Sequence, residues 1–343
     1  MIRMNLPALR GIQHGLNDAC AGLLAGSWLM SFSTDKTLLL LLGYNLIAFF
    51  CQPLASLIPE KHRRIYINLS MLLAASSLIV TENMAWIAML LIATASCLFH
   101  VCAGAEVLQE SRNCCAKTGV FVAPGVLGLL SGMAAGIIHL EVVSWLLIIM
   151  IIASLGLNIK RPEPMQTGKA HTSEAPGSFW IICVLLFLIA LRSLTWVFYQ
   201  GSELVTVNNL VILAVIISFG KLTGGRMGNH SRWPLICILT LGLATTLLYL
   251  SEQYASFALL AAGLALLQSM SPVFLVKLNA YLQKPALSSA LALGTAISFG
   301  GALFWLTQEF IPSAFEFFWL LPLSLALLFL MDRKNRVAHK QQP

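Results

Sequence analysis

Twelve apolar segments of about 20 residues recur along this 343-residue chain and limit what it can fold into. A segment of that length is what a helix needs to cross the ~30 Å hydrocarbon layer of a bilayer. Backbone groups in lipid must be bonded internally, and no segment alternates with the period of two that a β-barrel strand requires. We therefore predict an all-α integral membrane protein with twelve transmembrane helices at 8–31, 37–58, 65–81, 84–108, 117–138, 142–159, 178–200, 205–224, 233–251, 254–281, 286–307 and 312–331.

The composition excludes a soluble protein. Hydrophobic residues make up 58% of the chain and charged residues 10%, whereas the outer layer of a soluble domain has to be polar. The eight cysteines lie mostly within apolar runs, and they have neither the C-x-x-C pairs nor the flanking histidines of a zinc site. We therefore expect lipid around most of the chain, and we predict no metal and no other cofactor.

The basic residues predict the orientation. Of the 21 Lys and Arg residues, all but Lys36 and Arg192 fall on one side of the predicted membrane, and such a bias marks the cytoplasmic side. Each outer loop instead carries one acid: Asp35, Glu82, Glu141, Glu203, Glu252 and Glu309. We predict a multi-pass protein of the cytoplasmic (inner) membrane with both termini cytoplasmic. The net charge of +7 is then topological, so no nucleic acid partner is expected.

The longest polar stretch, 160–177, divides the chain into two halves. Its Pro, Gly and charged residues suit a flexible cytoplasmic linker. It separates a predicted six-helix bundle at 1–159 from a second one at 178–343, which ends in a short basic tail. Two such bundles resemble the major facilitator superfamily of transporters. The resemblance implies two repeats with the substrate near the midplane between them, a cavity lined by spans one, four, seven and ten, and a monomer.

Two kinds of motif strengthen the resemblance. Residues 220–232 look like a weakened copy of the superfamily's G-x-L-x-D-R-x-G-R loop, with Gly225 where the acid usually stands. The matching stretch of the first half, 56–64, keeps basic residues without the glycines, and a basic turn that holds topology explains it equally well. The span-five run from Gly119 to Gly136 resembles the Gly/Pro motif of exporters, although close helix packing gives the same pattern.

Three further stretches resemble the fosmidomycin-resistance type of efflux protein. They are His14-x-x-Asn17-Asp18 in span one, Phe99-His100 followed by the span-five glycines, and Leu191-Arg192-Ser193 in span seven. In this chain Val-Cys follows His100, where that family would have a proline. The resemblance implies efflux of a small molecule.

The ionisable residues inside the spans are the candidates for proton coupling: Asp18, His14, His100 and Glu106. A carboxylate in hydrocarbon costs at least ~2.5–3.5 kcal/mol unless it faces a partner or a cavity. Asp18 lies four residues after His14, so the two share a helix face, and histidine titrates near neutral pH. We predict that Asp18 loads and releases a proton that a histidine passes on. In the alternative, a static network, Asp18 bonds neighbouring helices through Asn17.

The candidates for substrate binding are Arg192, Asn17, Tyr44, Asn45, Gln52, Tyr199 and Gln268. Arg192 lies deep in span seven, where a cation can pair with Asp18 or with an anionic substrate group. Snorkelling outward is the alternative for its side chain. As a lining, the other residues suggest a polar or amphipathic small molecule, whereas hydrogen bonds between helices explain any one of them singly.

The sequence therefore predicts a secondary active transporter that moves a small polar or amphipathic molecule by proton-coupled efflux. A proton-coupled importer of a small metabolite is the alternative. A polytopic membrane enzyme is a competing class, but the chain has no aspartate-rich metal motif, no H-E-x-x-H, no P-loop and no G-x-S-x-G. The predicted partners are the small-molecule substrate, protons and the lipid bilayer.

Overall fold

The computed structural model describes residues 5–80, 82–112, 114–159 and 179–307, together with residues 322, 323, 325 and 326. Within these residues the regular structure is helical, and no strand occurs. The α-helices are Leu6–Ser31, Thr34–Asn45, Gln52–Ala55, Arg63–Ser77, Ala85–Ser111, Cys115–Ile137, Glu141–Ile159, Phe179–Gln200, Val207–Met227, Trp233–Gln253, Phe257–Ser269, Ser271–Leu282, Pro285–Ala290 and Ala296–Thr307. Two π-helical segments, Leu46–Phe50 and Leu291–Thr295, interrupt the second and eleventh spans.

These helices confirm an all-α membrane fold and match the first eleven predicted spans. The second span is Thr34–Ala55 and the tenth is Phe257–Leu282. The tenth breaks at Met270, two residues before Pro272, as a proline inside an apolar run predicts. Of the eleven spans that the structure describes, the third is the shortest, with 15 helical residues in Arg63–Ser77. The predicted linker and nearly all of the twelfth span lie outside the described residues.

In the described part of the chain, seven helices are long and apolar enough to cross a membrane. The first helix, Leu6–Ser31, is not one of them, although it has 26 residues. Five polar side chains lower its hydropathy, and all five are buried among neighbouring helices: Arg10, Gln13, His14, Asn17 and Asp18. A membrane protein shelters such groups by facing them inward, so this helix belongs to the centre of the molecule.

The first and fifth spans pack backbone against backbone. A Cβ atom on Gly128 would lie 1.9 Å from the carbonyl oxygen of Gly15, and one on Gly22 would lie 2.0 Å from that of Leu129. Side chains larger than hydrogen would push the two helices apart at these points. The glycine run of span five therefore has a packing role, which was one of the two interpretations of its sequence.

Contacts between the first six spans and the later ones gather at the side that carries the basic loops, called the basic side below. There the backbone N–H of Cys115, at the start of span five, donates to the side chain of Asn229 (2.7 Å). Deeper in the same contact, the hydroxyl of Ser218 donates to the carbonyl oxygen of Ala123 (2.9 Å). In the eleventh span, Ser289 donates to the carbonyl oxygen of His100 (2.7 Å). The two sets of spans are therefore in contact on the basic side.

Candidate functional site

Three ionisable side chains from the first and fourth spans converge in the interior. The Nε2 atoms of His14 and His100 are 3.0 Å apart. A carboxylate oxygen of Asp18 lies 3.2 Å from Nε2 of His14, and its other oxygen lies 3.5 Å from Nε2 of His100. All three residues are at least nine-tenths buried. The structure thus brings together three of the four residues predicted for proton coupling, which we call the His–Asp cluster.

The other ring nitrogens fix how protons are arranged in the His–Asp cluster. Nδ1 of His14 lies 3.0 Å from the carbonyl oxygen of Phe121, and Nδ1 of His100 lies 2.7 Å from that of Ser96. A carbonyl oxygen only accepts, so each Nδ1 carries a hydrogen and donates it. Two neutral rings would then aim lone pairs at each other and at a carboxylate. A cation among the three groups removes this conflict, and a proton shared by the histidines is the smallest one.

The surrounding residues hold the His–Asp cluster in place. The ring of Phe121 stacks on that of His14, with centroids 4.8 Å apart. A Cβ atom on Gly125 would lie 2.6 Å from Nε2 of His14 and 2.8 Å from a carboxylate oxygen of Asp18. Gly125 therefore leaves the room that the cluster occupies, and sequence patterns alone did not assign it this role.

A short polar chain extends the cluster towards the second span. The amide of Asn17 donates to Asp18 (3.2 Å) and to the hydroxyl of Ser96 (3.0 Å), and the hydroxyl of Tyr44 donates to the same Ser96 (3.2 Å). Two residues predicted for substrate binding, Asn17 and Tyr44, are thus placed beside the proton-coupling candidates. The side-chain oxygen of Asn17 is buried without a hydrogen-bond partner in the described structure.

The donor atoms of the His–Asp cluster are also of a type that metal ions accept. One atom from each of the three residues can be chosen so that all lie within 4.8 Å of one another. Imidazole and carboxylate groups suit several divalent transition metals. A proton shared by the two histidines would also satisfy these lone pairs, without a metal. The sequence around the three residues has no metal-binding motif.

A second polar group lies in the later spans. Arg192, in span seven, is 6% exposed, and its Nη1 donates to the side-chain oxygen of Gln268 in span ten. Ser271 donates to the same oxygen (3.1 Å). The Nε atom of Arg192 is buried without a hydrogen-bond partner among the described residues. The structure thus brings together two more of the predicted substrate-binding residues, Arg192 and Gln268.

Comparisons with known proteins support the fold. No protein-family model matches the sequence, and no curated protein matches it. Solved structures do match. This chain has the major facilitator fold. FucP, a transporter of this superfamily in the outward conformation, superposes with a TM-score of 0.68 at 13% identity, over 96% of this chain and 97% of that chain.

Two further solved structures have the same architecture. A structure of the E. coli fucose:proton symporter FucP gives a TM-score of 0.63 at 13% identity, over 96% of this chain and 97% of that chain. The human organic anion transporter MFSD10 (TETRAN) also gives 0.63, at 16% identity over 95% and 99%. None of these matches bears on the fosmidomycin-resistance type, so that finer resemblance stays a prediction.

Within the major facilitator fold, Glu106 lies apart from the His–Asp cluster. Its carboxylate accepts from Nε (2.8 Å) and Nη2 (2.6 Å) of Arg10, and Nη1 of Arg10 donates to Gln13 (2.7 Å). Arg10 is 2% exposed. The proton-coupling role of Glu106 stays a prediction. In the structure its carboxylate and Arg10 form a buried ion pair between the first and fourth spans.

The second span does not present its polar residues on one face. Tyr44 bonds to Ser96, Asn45 is exposed and donates to the carbonyl oxygen of Leu41 in its own helix (2.9 Å), and Gln52 is fully buried. The π-helical segment Leu46–Phe50 lies between Asn45 and Gln52 and changes their relative rotation. The spacing of seven to eight residues, which predicts a shared face in a regular helix, does not produce one here.

Gln52 instead meets the opposite half of the fold. A Cβ atom on Gly294, within the eleventh span's π-helical segment, would lie 2.5 Å from its side-chain oxygen. Tyr199, the remaining predicted substrate-binding residue, is 1% exposed and lies near Glu252 of the ninth span. Tyr199 follows Arg192 by seven residues, so the two share a helix face, and Tyr199 lies about 10 Å farther from the basic side.

Lys221 belongs to the helix of the eighth span. It was counted with the basic residues outside the membrane, but it lies within the helix Val207–Met227, where it is half-buried. The glycine-rich stretch that was predicted to leave the membrane here is helical as far as Met227, and Gly225 packs on Gly119 of span five. The predicted span 205–224 includes Lys221, and this was the sequence signal that the residue belongs to the helix.

Proposed function

We propose that this protein is a secondary active transporter that moves a small polar or amphipathic molecule across the cytoplasmic membrane by proton-coupled efflux. The observation that carries the proposal is the convergence of His14, Asp18 and His100 at 3.0–3.5 Å inside a major facilitator fold. A buried group of this kind is expensive in a membrane protein, and ion or proton pathways are where it is usually found.

The His–Asp cluster supplies a place for one exchangeable proton. Because both Nδ1 atoms donate to backbone carbonyls, a proton entering the cluster binds between the two Nε2 atoms and Asp18. Its arrival makes an imidazolium that neutralises the carboxylate. Its departure leaves the carboxylate facing two lone pairs, which favours a rearrangement of the first and fourth spans. This two-state behaviour is what coupling to a proton gradient requires.

Arg192 supports a binding site for an anionic group of the substrate. It is nearly fully buried, has one unpaired nitrogen, and lies in the half of the fold opposite to the His–Asp cluster. In the described structure it contacts Gln268 and not Asp18. The predicted pairing of Arg192 with Asp18 would therefore belong to another conformation. The organic anions named for MFSD10 agree with a substrate that carries negative charge.

The conformation is consistent with alternating access. If the basic side is cytoplasmic, contact between the two sets of spans on that side fits an outward-facing state, like that named for the FucP structure. The first six spans and the later ones would then rock about the contact between spans five and eight, where Gly119 meets Gly225.

Import is the alternative direction, and one observation favours it. One of the similar structures is a fucose:proton symporter, which moves its sugar together with the proton. Efflux rests on the span-five Gly/Pro run and on the resemblance to efflux proteins. The His–Asp cluster is compatible with both directions, since a proton site is needed for symport and for antiport.

Two measurements test the proposal. A strain lacking the protein and a strain overproducing it are compared for sensitivity to a panel of compounds, and the compound that separates them is used as substrate. Proteoliposomes that hold the purified protein and a pH-sensitive dye are then given that compound. A substrate-dependent proton flux supports the transporter, and substrate turnover into a product without flux would support an enzyme. Accumulation in inverted vesicles acidified inside indicates efflux, whereas cellular uptake that is lost on deletion indicates import.

A further inference from the structure

The His–Asp cluster holds its donor atoms at the separations that ligands of one metal ion adopt. The two Nε2 atoms are 3.0 Å apart, and those of His14 and His100 lie 3.2 and 3.5 Å from the two oxygens of Asp18. Bonds from a first-row metal to imidazole or carboxylate are about 2.1 Å long, so neighbouring ligands lie about 3.0 Å apart at a right angle and about 3.4 Å apart at the tetrahedral angle. The cluster matches these separations, with the carboxylate facing the histidines through both oxygens.

The far side of each imidazole ring is also arranged as in a metal ligand. Nδ1 of His14 donates to the carbonyl oxygen of Phe121 (3.0 Å), and Nδ1 of His100 donates to that of Ser96 (2.7 Å). Histidines that bind metals nearly always donate their other ring nitrogen in this way, which fixes the ring and leaves the lone pair of Nε2 for the ion. Because Phe121 is in span five and Ser96 is in span four, the backbone of two helices holds this orientation.

The cluster has room for an ion and a side from which it can be reached. Gly125 faces it with no side chain, and a Cβ atom there would lie 2.6 Å from Nε2 of His14. The side chain of Asp18 keeps 12% of its surface exposed, more than either histidine, so an ion can approach past the carboxylate. Three protein ligands leave a coordination position open, which water or another small molecule fills.

The set of ligands selects the class of ion. Two imidazoles and one carboxylate suit divalent zinc, nickel, cobalt and iron, whereas Mg²⁺ and Ca²⁺ prefer oxygen ligands alone and Cu⁺ prefers thiolates. His14 and His100 are 86 residues apart in the chain. No local sequence motif can therefore indicate the site, and only the packing of the first span on the fourth creates it.

We propose that the His–Asp cluster binds one divalent transition-metal ion of the Zn²⁺ class in the position of the shared proton. The bound ion links His14 and Asp18 of the first span to His100 of the fourth. It keeps the proton out and holds the two helices together, so metal binding inhibits transport. The metal site stands on the geometry alone, whereas the inhibition rests on the proposed transport function.

The test is a titration of the purified full chain in detergent, without a polyhistidine tag and after removal of metals with a chelator. Calorimetry should show one Zn²⁺ ion bound per chain and no binding of Mg²⁺ at the same concentration. We expect His100→Gln and Asp18→Asn each to weaken Zn²⁺ binding at least tenfold. His139→Gln is the matched control and should bind like the parent, because His139 is exposed just after span five.

The visible spectrum of bound Co²⁺ keeps the test independent of the folding of the variants. An ion held by imidazole nitrogens absorbs differently from hydrated Co²⁺, so the parent alone reports the ligands. The spectrum of the hydrated ion in the parent overturns the metal site. The absence of one-to-one Zn²⁺ binding does the same, and so does binding that both variants retain, since the ion would then lie elsewhere.

The inhibition is measured separately in proteoliposomes. Saturating Zn²⁺ should lower substrate-dependent proton flux at least tenfold in the parent, and a chelator should restore the flux. Unchanged flux with the ion bound overturns the inhibition, as does movement of Zn²⁺ itself across the membrane. A parent without any proton flux counts against the transport function, while the titration still decides the metal site.

Discussion

The Nε2 atoms of His14 and His100 lie 3.0 Å apart although both rings donate their other nitrogen to a backbone carbonyl. A proton shared by the rings would relieve the repulsion between their lone pairs, and Asp18 is placed to offset its charge. The pair joins the first span to the fourth. A change in its protonation therefore acts directly on the packing of two helices that line the centre of the fold.

Replacement of Asp18 by Asn tests whether this proton is exchanged. The amide keeps the shape and the contact with Asn17, but it cannot offset an imidazolium. We expect proton-driven accumulation of substrate in vesicles to be abolished, while exchange of substrate for substrate, which needs no net proton movement, is partly retained. If the Asn variant concentrates substrate as well as the parent does, Asp18 belongs to a static network.

The sequence predicted the helical framework well because apolar length and charge bias are local signals. The first helix shows the limit of hydropathy, since its polar residues lower its mean value while packing hides them. The contacts that charged side chains make between spans are not local signals. Nothing in the spacing of Arg10 and Glu106, 96 residues apart, distinguishes a surface charge from a buried pair. The π-helical segment Leu46–Phe50 changes the rotation of the second span, so the face of Gln52 could not be read from its position.

Gly125→Ala should impair coupling without a general loss of packing. Its methyl group would lie 2.6 Å from Nε2 of His14, a separation that requires the ring to move. We expect the rate of substrate-driven proton flux to fall at least tenfold in proteoliposomes. Gly156→Ala is the matched control, since a Cβ atom there meets nothing within 4 Å. Equal loss in both variants would point to helix propensity rather than to the His–Asp cluster.

Gly22→Ala should instead lower stability. The added methyl group would lie 2.0 Å from the carbonyl oxygen of Leu129, and backbone cannot yield as a side chain does. Overpacking of this kind costs about 1–3 kcal/mol, so we expect a lower midpoint of thermal unfolding in detergent. Gly242→Ala, which meets no atom within 4 Å, should leave the midpoint unchanged. An unchanged midpoint for Gly22→Ala would mean that the two helices separate without cost.

Glu106→Gln distinguishes a structural ion pair from a proton carrier. In the structure the carboxylate offsets Arg10, which is 2% exposed. Breaking a buried pair by removing one charge costs about 3–5 kcal/mol, so we expect marked thermal destabilisation. Glu141→Gln, at an exposed position at the start of span six, should have little effect. Normal thermal unfolding together with lost proton coupling would support the proton-coupling role that the sequence predicted for Glu106.

Arg192 should be needed for binding through its shape as well as its charge. The guanidinium donates to Gln268 through Nη1 and leaves Nε free, so a planar group is available to two oxygen atoms of a substrate. Lysine at this position keeps the charge and loses the fork. We expect Arg192→Lys to raise the substrate Kd more than tenfold with normal expression, and Arg192→Ala to be inactive. Equal binding by the parent and the Lys variant would show that a point charge suffices. Normal transport by the Ala variant would remove Arg192 from the mechanism, because a buried site that works without its cation does not depend on it.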